Sequence, residues 1–418
     1  MASSLNVVIA GAGLGGMAAA IALRRAGHKV TMIEKAPALG VVGAGIQMGP
    51  NASRLLQAWG VVDRFSGKGV KAEAALRRRW NTGEVLGEQP MGERLEKAIG
   101  AAYWCLHRAD LHDALVATAT DPAGFGTPVR IRLGLEVAGI DALGPEQASL
   151  KLSDGEIVSG DVVIGADGIR SNIRASIWGQ VPTRWSGRIV YRHIIDVTEA
   201  RKDPELAQLL QRPVQQIWLG PSGSALMHPI WAGRGVYVGA TRAGIPEAEA
   251  IWTNTIDKAS LAAQFHGWDP RLLRLMSFAD QVTGYGLHEL TPMPEWSRGR
   301  VVLLGDACHA MLPFQAQGAG QAIEDGAVLA RYLTGVDNAG IAAALNGYAA
   351  ERQPRTLKVQ QASRANADLW HISDGEAQRQ RDEGLKQGSS DFESYKWLWA
   401  AGPGLAPVPM PTAAERPL

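Results

Sequence analysis

Three apolar runs along the chain each lead into a glycine-containing turn and then into a helix. The first run covers residues 5–10, and it is followed by the turn 11–16 and by an alanine-rich helix that ends near Gly27. The pattern returns at residues 161–174 and again at 300–306. Near-continuous apolar runs of this kind are typical of parallel strands that are covered on both faces. The sequence therefore predicts an α/β fold built on a parallel sheet.

A different hydrophobic period is found between the second and third of these units. Shorter segments with apolar and polar alternation replace the continuous runs, which predicts a mainly antiparallel sheet inserted into the α/β fold. Alternation puts Tyr191 with His193 on one face of their strand, and Leu226 with His228 on one face of theirs. We expect one of these faces to cover a ligand. These strands are predicted at residues 188–197, 215–220, 224–231 and 235–240.

The last part of the chain is predicted to be helical. Helices are expected at about 318–333 and 341–372, and the polar segment 374–391 is interpreted as solvated. A proline-rich tail ends the chain. We expect Trp397 and Trp399, which come just before it, to pack within the fold or across a dimer rather than contact a substrate.

Composition and charge exclude several classes of partner. A length of 418 residues, with 46% hydrophobic and 20% charged residues, is sufficient for two packed domains. The net charge of +1 gives no reason to expect a nucleic acid, and the run Arg77–Arg79 is interpreted as a solvated turn. Cys105 and Cys308 cannot form a disulfide framework or a zinc site, which fits a reducing cytoplasm. The apolar stretch 7–23 follows no basic residue, so neither a targeting signal nor a membrane span is expected.

The turn after the first strand has the pattern GxGxxG. Gly11 permits a tight turn, Gly13 lets the backbone approach a pyrophosphate, and Gly16 lets the helix pack on the strand. The helix N-terminus then faces the anion. A second strand ends at Glu34, close to the spacing at which a carboxylate meets ribose hydroxyls. This unit predicts dinucleotide binding, but the glycines do not distinguish NAD from FAD.

Two further motifs carry a resemblance to a known family. The GxGxxG turn, the Asp167-Gly168 pair and the Gly305-Asp306 pair together resemble the class A, single-component flavoprotein aromatic hydroxylases. Segments 43–61, 107–115 and 305–333 are most similar to the salicylate hydroxylase and 6-hydroxynicotinate 3-monooxygenase branch. The resemblance implies FAD as cofactor, NADH or NADPH as electron donor, O2 and a small aromatic substrate, in a monomer or homodimer.

The resemblance also implies a division into domains. The expected fold is a Rossmann-like FAD-binding domain with an inserted, mainly antiparallel substrate domain and a helical C-terminus. The FAD-binding domain is assigned to residues 1–75, 100–180 and 275–335, the substrate domain to 76–99 and 181–274, and the C-terminal segment and tail to 336–418.

Individual cofactor contacts follow from the same resemblance. Arg108 is expected at the flavin phosphate or ribityl chain, Asp306 at the ribityl chain, and Asp167 behind the pyrophosphate. The start of the helix at residue 318 is expected beside the flavin ring, where its N–H groups and dipole stabilise negative charge. The full set of implied cofactor-binding residues is Gly11, Gly13, Leu14, Gly16, Glu34, Lys35, Gly45, Arg108, Asp167, Asp306, Gly318, Ala319 and Gly320.

On the substrate side, the resemblance is less complete. His228 is the first choice for a base or relay, and Pro313 shapes the loop beside the flavin ring. The expected substrate contacts are Gln47, Tyr191, His193 and Phe314. Relatives commonly carry histidines where this chain has Gln47, Ser224 and Phe314, which leaves the substrate open. A structural role is expected for Cys308 and His309, and no metal site is expected.

Several alternatives remain at this point. The leading hypothesis is hydroxylation of a hydroxylated aromatic or N-heteroaromatic acid, with loss of CO2 if the carboxylate sits on the attacked carbon. A larger polycyclic or quinolone-like substrate is the runner-up, favoured by Phe314. A flavin halogenase is disfavoured because no WxWxIP motif is present. A non-catalytic dinucleotide-binding protein and an NAD dehydrogenase would not need the Pro313 loop.

Overall fold

The computed structural model describes residues 4–40, 44–244, 253–279, 281–388 and 392–400. The strands in chain order are β1 (Asn6–Ala10), β2 (Lys29–Ile33), β3 (Gly45–Met48), β4 (Val70–Lys71), β5 (Ala74–Arg79), β6 (Val85–Pro90), β7 (Trp104–His107), β8 (Arg130–Arg132), β9 (Val137–Leu143), β10 (Ala148–Leu152), β11 (Ile157–Gly160), β12 (Val162–Gly165), β13 (Thr183–Asp196), β14 (Gln215–Gly220), β15 (Gly223–Ile230), β16 (Gly235–Ala243), β17 (Thr253–Ile256), β18 (Val282–Leu290), β19 (Ser297–Arg298) and β20 (Val301–Leu303).

The helices that accompany them in chain order are α1 (Leu14–Arg25), α2 (Pro50–Ala58), α3 (Val61–Phe65), α4 (Gly92–Ile99), α5 (Arg108–Thr120), α6 (Asn172–Trp178), α7 (Val197–Ala200), α8 (Pro204–Leu209), α9 (Lys258–Gln264), α10 (Pro270–Met276), α11 (Asp306–His309), α12 (Gly318–Leu333), α13 (Ile341–Trp370), α14 (Glu376–Lys386) and α15 (Lys396–Trp399).

The predicted parallel sheet is confirmed. Its strand order is β19-β20-β12-β1-β2-β8, and every pairing is parallel except that of the edge strand β19. The apolar strands β1, β12 and β20 are buried, because helices α1 and α12 pack together against this sheet. The third strand is shorter than expected, since Asp306 is the first residue of the short helix α11 rather than the last of the strand.

The inserted sheet is mainly antiparallel, as predicted. Its order is β17-β18-β13-β16-β15-β14-β5-β6, and the one parallel pairing recorded joins β14 to β5. The interpretation of Arg77–Arg79 as a solvated turn is wrong, because these residues form the end of β5. Their charges are accommodated by partners from distant segments. Arg78 donates to Gln216 at 2.7 Å, and Arg79 donates to Asp374 at 2.6 Å.

One face of the inserted sheet packs on helices α8, α9 and α10. Alternate residues of β13, β15 and β16 join residues of these helices in a second hydrophobic core. Strand β18, which lies in the segment 275–335 assigned to the FAD-binding domain, pairs with β13 in the inserted sheet. The chain therefore returns to the parallel sheet only after Leu290.

The C-terminal region departs from expectation in one element. Helix α13 matches the helix predicted at 341–372, but the segment 374–391 is not simply solvated. Residues 376–386 form α14, which packs near β6 and buries Arg381 and Asp382, joined by a bond of 2.7 Å. Residues 401–418, with most of the proline-rich tail, lie outside the described residues. Within the described ranges, no helix has the length and apolar character that a membrane crossing requires.

Candidate active site

A cavity of about 450 Å³ lies between the carboxyl ends of the parallel strands and the inserted sheet. Both predicted redox-site motifs and the glycine turn contribute to its walls. The position fits the general rule that ligands bind beyond the carboxyl ends of strands in open α/β sheets. The lining residues include Gly13, Leu14, Gly45, Gln47, Arg108, Arg192, Leu226, His228, Tyr237, Asp306, Pro313, Gly318 and Ala319.

The glycine turn has the geometry that a dinucleotide requires. Gly11 has a φ of +99°, and a Cβ there would lie 2.4 Å from the carbonyl oxygen of Ala166. A Cβ at Gly16 would lie 2.1 Å from the carbonyl oxygen of Gly11, so the first turn of α1 packs directly on the loop. A Cβ at Gly13, in contrast, would meet no protein atom within 4 Å. Gly13 thus presents bare backbone to the cavity, as a pyrophosphate cradle needs.

Two features beside this turn complete a dinucleotide site. No side chain caps the N-terminus of α1, so the first N–H groups of the helix are available to an anion. The Glu34 carboxylate accepts hydrogen bonds from the N–H groups of Ala12 at 2.8 Å and Ala36 at 2.9 Å. This holds Glu34 beside the turn with lone pairs left for ribose hydroxyls. Lys35 is exposed and does not line the cavity.

Arg108 and Asp306, which carry opposite charges, both line the cavity. Arg108 begins α5, and its backbone N–H donates to the carbonyl of Ala44 at 2.8 Å. Burial lowers the pKa of Arg108, and the nearby Asp306 carboxylate opposes this shift. Asp306 is exposed to the open cavity, but the protein around it keeps most water away, and this desolvation raises the pKa of its carboxyl group. These two side chains supply donors and acceptors that fit the phosphates and hydroxyl chain of FAD.

The start of helix α12 forms the wall where the resemblance places the flavin ring. Gly318 and Ala319 line the cavity, and no side chain caps this helix. Its N-terminal N–H groups and positive dipole end are therefore available for negative charge on a bound ring. Pro313 lies on the loop just before and also lines the cavity. Gly320 does not line it, and a Cβ there would lie 3.2 Å from Gln317 Oε1.

The roof of the cavity is one face of the inserted sheet. Leu226 is paired with Gly239, and His228 with Tyr237, so these residues share a face. Arg192 pairs with Gly239 from the other side and brings a cation to the same face. Arg192 also stacks on the ring of Tyr285, at 4.8 Å from its centroid.

Tyr191 and His193, expected to contact substrate, lie on the opposite face. Tyr191 belongs to the second hydrophobic core, and neither residue lines the cavity. Both ring nitrogens of His193 are buried without a hydrogen-bond partner among the described residues. Burial lowers the pKa of His193 to about 4, so this side chain is neutral at ordinary pH. Side chains alternate strictly along a strand, so Arg192 takes the position over the cavity.

His228 lies in the roof as expected. Its Nδ1 is 3.3 Å from the carbonyl oxygen of Pro229, which makes Nδ1 the donor and leaves Nε2 as an acceptor. Burial lowers the pKa of His228 to about 4. The ring packs at 5.1 Å from that of Tyr237, and a Cβ at Gly45 would lie 2.7 Å from its Cε1. Glycine is therefore required at position 45 for strand β3 to approach the roof.

The remaining motif residues support the cavity from behind. Asp167 accepts a hydrogen bond from the N–H of Ile173 at 3.1 Å, while its neighbours Ala166 and Gly168 line the cavity. His309 contacts Asp325 through Nε2 at 2.6 Å, the buried structural role that the sequence predicts. No group of three or more metal-ligating side chains was found in the part of the chain that the structure describes.

A second, smaller cavity of about 50 Å³ adjoins the first. Gln47, Leu226, Pro313 and Ala316 line both cavities. Phe314 lines only the second, where it packs at 5.6 Å from Trp370 in a T-shaped contact. Sequence reasoning missed most residues of this cavity. They include Arg77, Gln89, Tyr103, Gln215, Tyr395 and Trp399.

One signal for this cavity was present in the sequence. Alternation along β5 puts Ala75 and Arg77 on the same face, and Gln215 and Gln216 are two polar residues at the start of a strand that is otherwise apolar. Trp399 was expected only to pack. It does so at 5.8 Å from Tyr103, but it also closes the second cavity.

Comparisons with known proteins agree with this site. The FAD binding domain profile matches residues 4–363. The chain is 34% identical to a 3-amino-4-hydroxybenzoate 2-monooxygenase of Streptomyces cremeus, with 96% of each chain covered. It is 34% identical to a 6-hydroxynicotinate 3-monooxygenase of Pseudomonas fluorescens, covering 88% of this chain and 93% of that one. A salicylate hydroxylase substrate complex superposes with a TM-score of 0.79 at 27% identity, with 96% of each chain covered. The chain belongs to the family of FAD-dependent aromatic monooxygenases that share this FAD-binding domain.

Proposed function

We propose that this protein hydroxylates a hydroxylated aromatic or N-heteroaromatic carboxylate with O2 and NADH or NADPH. The observation that carries the proposal is that His228 of the roof, Pro313 and the start of α12 line one cavity together with Gly13, Arg108 and Asp306, to which we assign the binding of FAD. Bound and reduced, FAD supplies the electrons that activate O2 for transfer of one oxygen atom to the substrate. The names of the relatives, which act on an aminohydroxybenzoate and a hydroxynicotinate, support the same substrate class.

The roof and loop would exclude water from the reaction. Leu226, Leu312 and Met311 add apolar surface to the cavity wall, which suits a reaction that must keep activated oxygen from water. Arg108, Asp306 and the start of α12 would orient the cofactor. His228 would receive the ring hydroxyl, since its Nε2 is an acceptor when Nδ1 donates to Pro229.

The pKa of His228 refines its role. With a pKa of about 4, a neutral His228 accepts a hydrogen bond but is a weak proton acceptor in the empty site. It would therefore polarise a ring hydroxyl and raise electron density on the ring, rather than remove the proton fully. Electron-rich rings favour electrophilic attack by oxygen, so this hydrogen bond would accelerate hydroxylation.

A small acid fits better than the larger polycyclic substrate. Trp370 and Trp399 bound the second cavity, which measures only about 50 Å³. Phe314 favoured a larger substrate because it stands where relatives carry a polar residue. It is buried in contact with Trp370 and does not line the first cavity.

The test is NADH and NADPH consumption by FAD-loaded protein. The panel contains salicylate, 6-hydroxynicotinate, 3-amino-4-hydroxybenzoate, 3- and 4-hydroxybenzoate and a 4-quinolone, with product masses recorded. Stimulation by one of the acids, together with a product that has gained oxygen, would support the proposal. A panel that leaves the rate at its substrate-free level, or a response to the quinolone alone, would contradict it.

A further inference from the structure

Three hydrogen-bond donors of the second cavity have no partner. They are Nη1 of Arg77, Nε2 of Gln89 and Nε2 of Gln215, all buried, and none has an acceptor in hydrogen-bonding geometry among the described residues, although the Gln215 side chain also lies near Tyr103 and Cys105. The side chains are 8%, 1% and 3% exposed, respectively. Leaving a buried donor unpaired costs about 1–3 kcal/mol, and more for a charged group. Three such donors around one cavity indicate that a ligand supplies the acceptors.

Strand pairing explains why these donors converge. Gln215 of β14 is opposite Ala75 of β5, and Ala75 is in turn opposite Gln89 of β6. Arg77 lies two residues further along β5, on the same face, where its Nη2 donates to Gln89 Oε1 at 3.3 Å. The arrangement is therefore built into three adjacent strands of a sheet rather than into a loop.

The charge of Arg77 is not balanced within the described part of the protein. Arg77 makes no ion pair there, and none of the residues that line the second cavity is acidic. A buried guanidinium without a counter-ion is unfavourable, and the group that best matches its planar donors is a carboxylate. Tyr103 and Trp399 add flat aromatic walls to the same cavity. A planar aromatic acid fits both the donors and the walls.

We propose that Arg77, Gln89 and Gln215 form the subsite that binds the carboxylate of the substrate. This inference rests on the proposed function and adds an orientation to it. The aromatic ring would extend from the subsite toward the first cavity past Gln47 and Pro313, which line both cavities. Because the carboxylate lies in the second cavity, it does not sit on the carbon that receives oxygen.

The orientation decides the fate of the carboxylate. A ring C–H bond is replaced by C–OH, while O2, NAD(P)H and a proton give NAD(P)⁺ and water along with the hydroxylated product. No C–C bond breaks, so the product keeps its carboxylate and no CO2 is released. The competing orientation would place the carboxylate at Arg192 in the first cavity, close to the reacting atoms.

Ligand binding to the FAD-loaded protein tests the subsite without turnover. The probes are 4-hydroxybenzoate and 3-amino-4-hydroxybenzoate, each paired with its carboxamide, and Kd is measured by calorimetry and by the change in the flavin spectrum. In Arg77→Gln we expect Kd for the acids to rise about 10- to 100-fold, because a charge-assisted hydrogen bond is lost. Kd for the carboxamides should change less than about threefold, since a neutral amide gains little from the charge.

Matched variants separate this effect from a folding defect. Gln89→Glu keeps the size of the side chain and gives Arg77 an internal counter-ion, so it should fold and still weaken acid binding. Arg78→Gln changes the neighbouring arginine of the same strand, which donates to Gln216 and to the carbonyl of Gly83, and should leave Kd unchanged. Arg192→Gln tests the competing orientation.

The outcomes distinguish the two proposals. Loss of acid binding in Arg77→Gln and Gln89→Glu, with a product that retains its carboxylate, would support the subsite. Loss confined to Arg192→Gln, or release of CO2 during turnover, would overturn the subsite while hydroxylation itself stands. If no aromatic acid of either panel binds or stimulates NAD(P)H oxidation, the proposed function fails and the subsite fails with it.

Discussion

A buried charge network between helices α12 and α13 is predicted to dominate stability. Arg352 on α13 donates to Asp325 at 2.6 Å and to Glu324 at 2.7 Å, both on α12, and all three side chains are almost completely buried. Burial alone would raise the pKa of Asp325, but the charges of His309 and Arg352 outweigh it and hold the pKa at about 2. The ionised form of Asp325 is therefore favoured in the folded protein, and it depends on the positive charge of Arg352.

Replacing Arg352 with Met would leave part of this charge uncompensated. Breaking a buried pair by removing one partner costs about 3–5 kcal/mol, and we expect a loss of that size in the free energy of unfolding. The matched control is Arg331→Met. Arg331 pairs with Glu351 at the same 2.6 Å, but the two side chains are 38% and 30% exposed, so the loss should stay below about 1 kcal/mol.

Urea unfolding of the FAD-loaded variants measures both values, and FAD titration gives a second readout. Asp325 accepts a hydrogen bond from the N–H of Gly305 at 3.0 Å, directly before Asp306. Arg352→Met should therefore also weaken FAD binding, whereas Arg331→Met should not. The reasoning is refuted if the two variants unfold within about 1 kcal/mol of each other, or if both retain wild-type affinity for FAD.

Three further changes test single residues. Gly13→Ala should fold normally but bind FAD about 10-fold or more weakly, because its methyl group would enter the cradle. The control is Gly67→Ala, whose methyl group would also meet no atom within 4 Å and which should match wild type. Equal FAD affinities of the two variants would contradict the assignment of Gly13. His228→Phe should lower kcat about 100-fold with little change in the spectrum of bound FAD, and an unchanged kcat would remove His228 from the reaction. His193→Leu should stabilise the protein by about 1–3 kcal/mol at neutral pH by removing an unpaired buried group. The pKa of His193 in the folded state is about 4, whereas its ordinary value is 6.5. Between these two pH values only the unfolded chain binds the proton, so the free energy of unfolding of the wild type should fall by up to about 3 kcal/mol from pH 6.5 to pH 4. A wild type and a His193→Leu variant with the same pH dependence would contradict this.

Four strands of the parallel sheet, β1, β2, β12 and β20, could be predicted from sequence because each of them is followed by its own chemical motif. Each motif lies next to the strand or helix that it marks. Gly11 directly follows β1, Glu34 directly follows β2, and Gly318 begins α12. At these positions the local sequence pattern predicts the tertiary position, because the turn, the start of the helix and the expected ligand contact lie within a few residues of one another. The expected cofactor residues accordingly fall on or directly behind the cavity wall, apart from the exposed Lys35.

The inserted sheet was predicted only in part because periodicity gives alternation but not the choice of face. One face of β13 packs on helices and the other lines the cavity. Neither face is open to bulk solvent, so the sequence pattern did not show whether the face of Tyr191 or that of Arg192 would line the cavity. The charged residues of β5 and α14 were interpreted as solvated, and this interpretation was wrong for a related reason. Arg79 is compensated by Asp374, and Arg381 by Asp382, through packing between distant segments that local composition does not reveal.

The walls of the two cavities are connected through one helix. On α13, Arg352 binds the carboxylates of Glu324 and Asp325 on α12. Arg355, three residues later, donates to Glu324 at 2.5 Å and to the carbonyl of Leu398 at 2.9 Å. Residues three apart on a helix share a face, so the same turn of α13 contacts both Glu324 of α12 and the segment that carries Trp399. Trp399 closes the cavity of the proposed carboxylate subsite. If the proposed subsite binds the substrate carboxylate, a shift of Trp399 would reach α12 through Arg355 and Glu324.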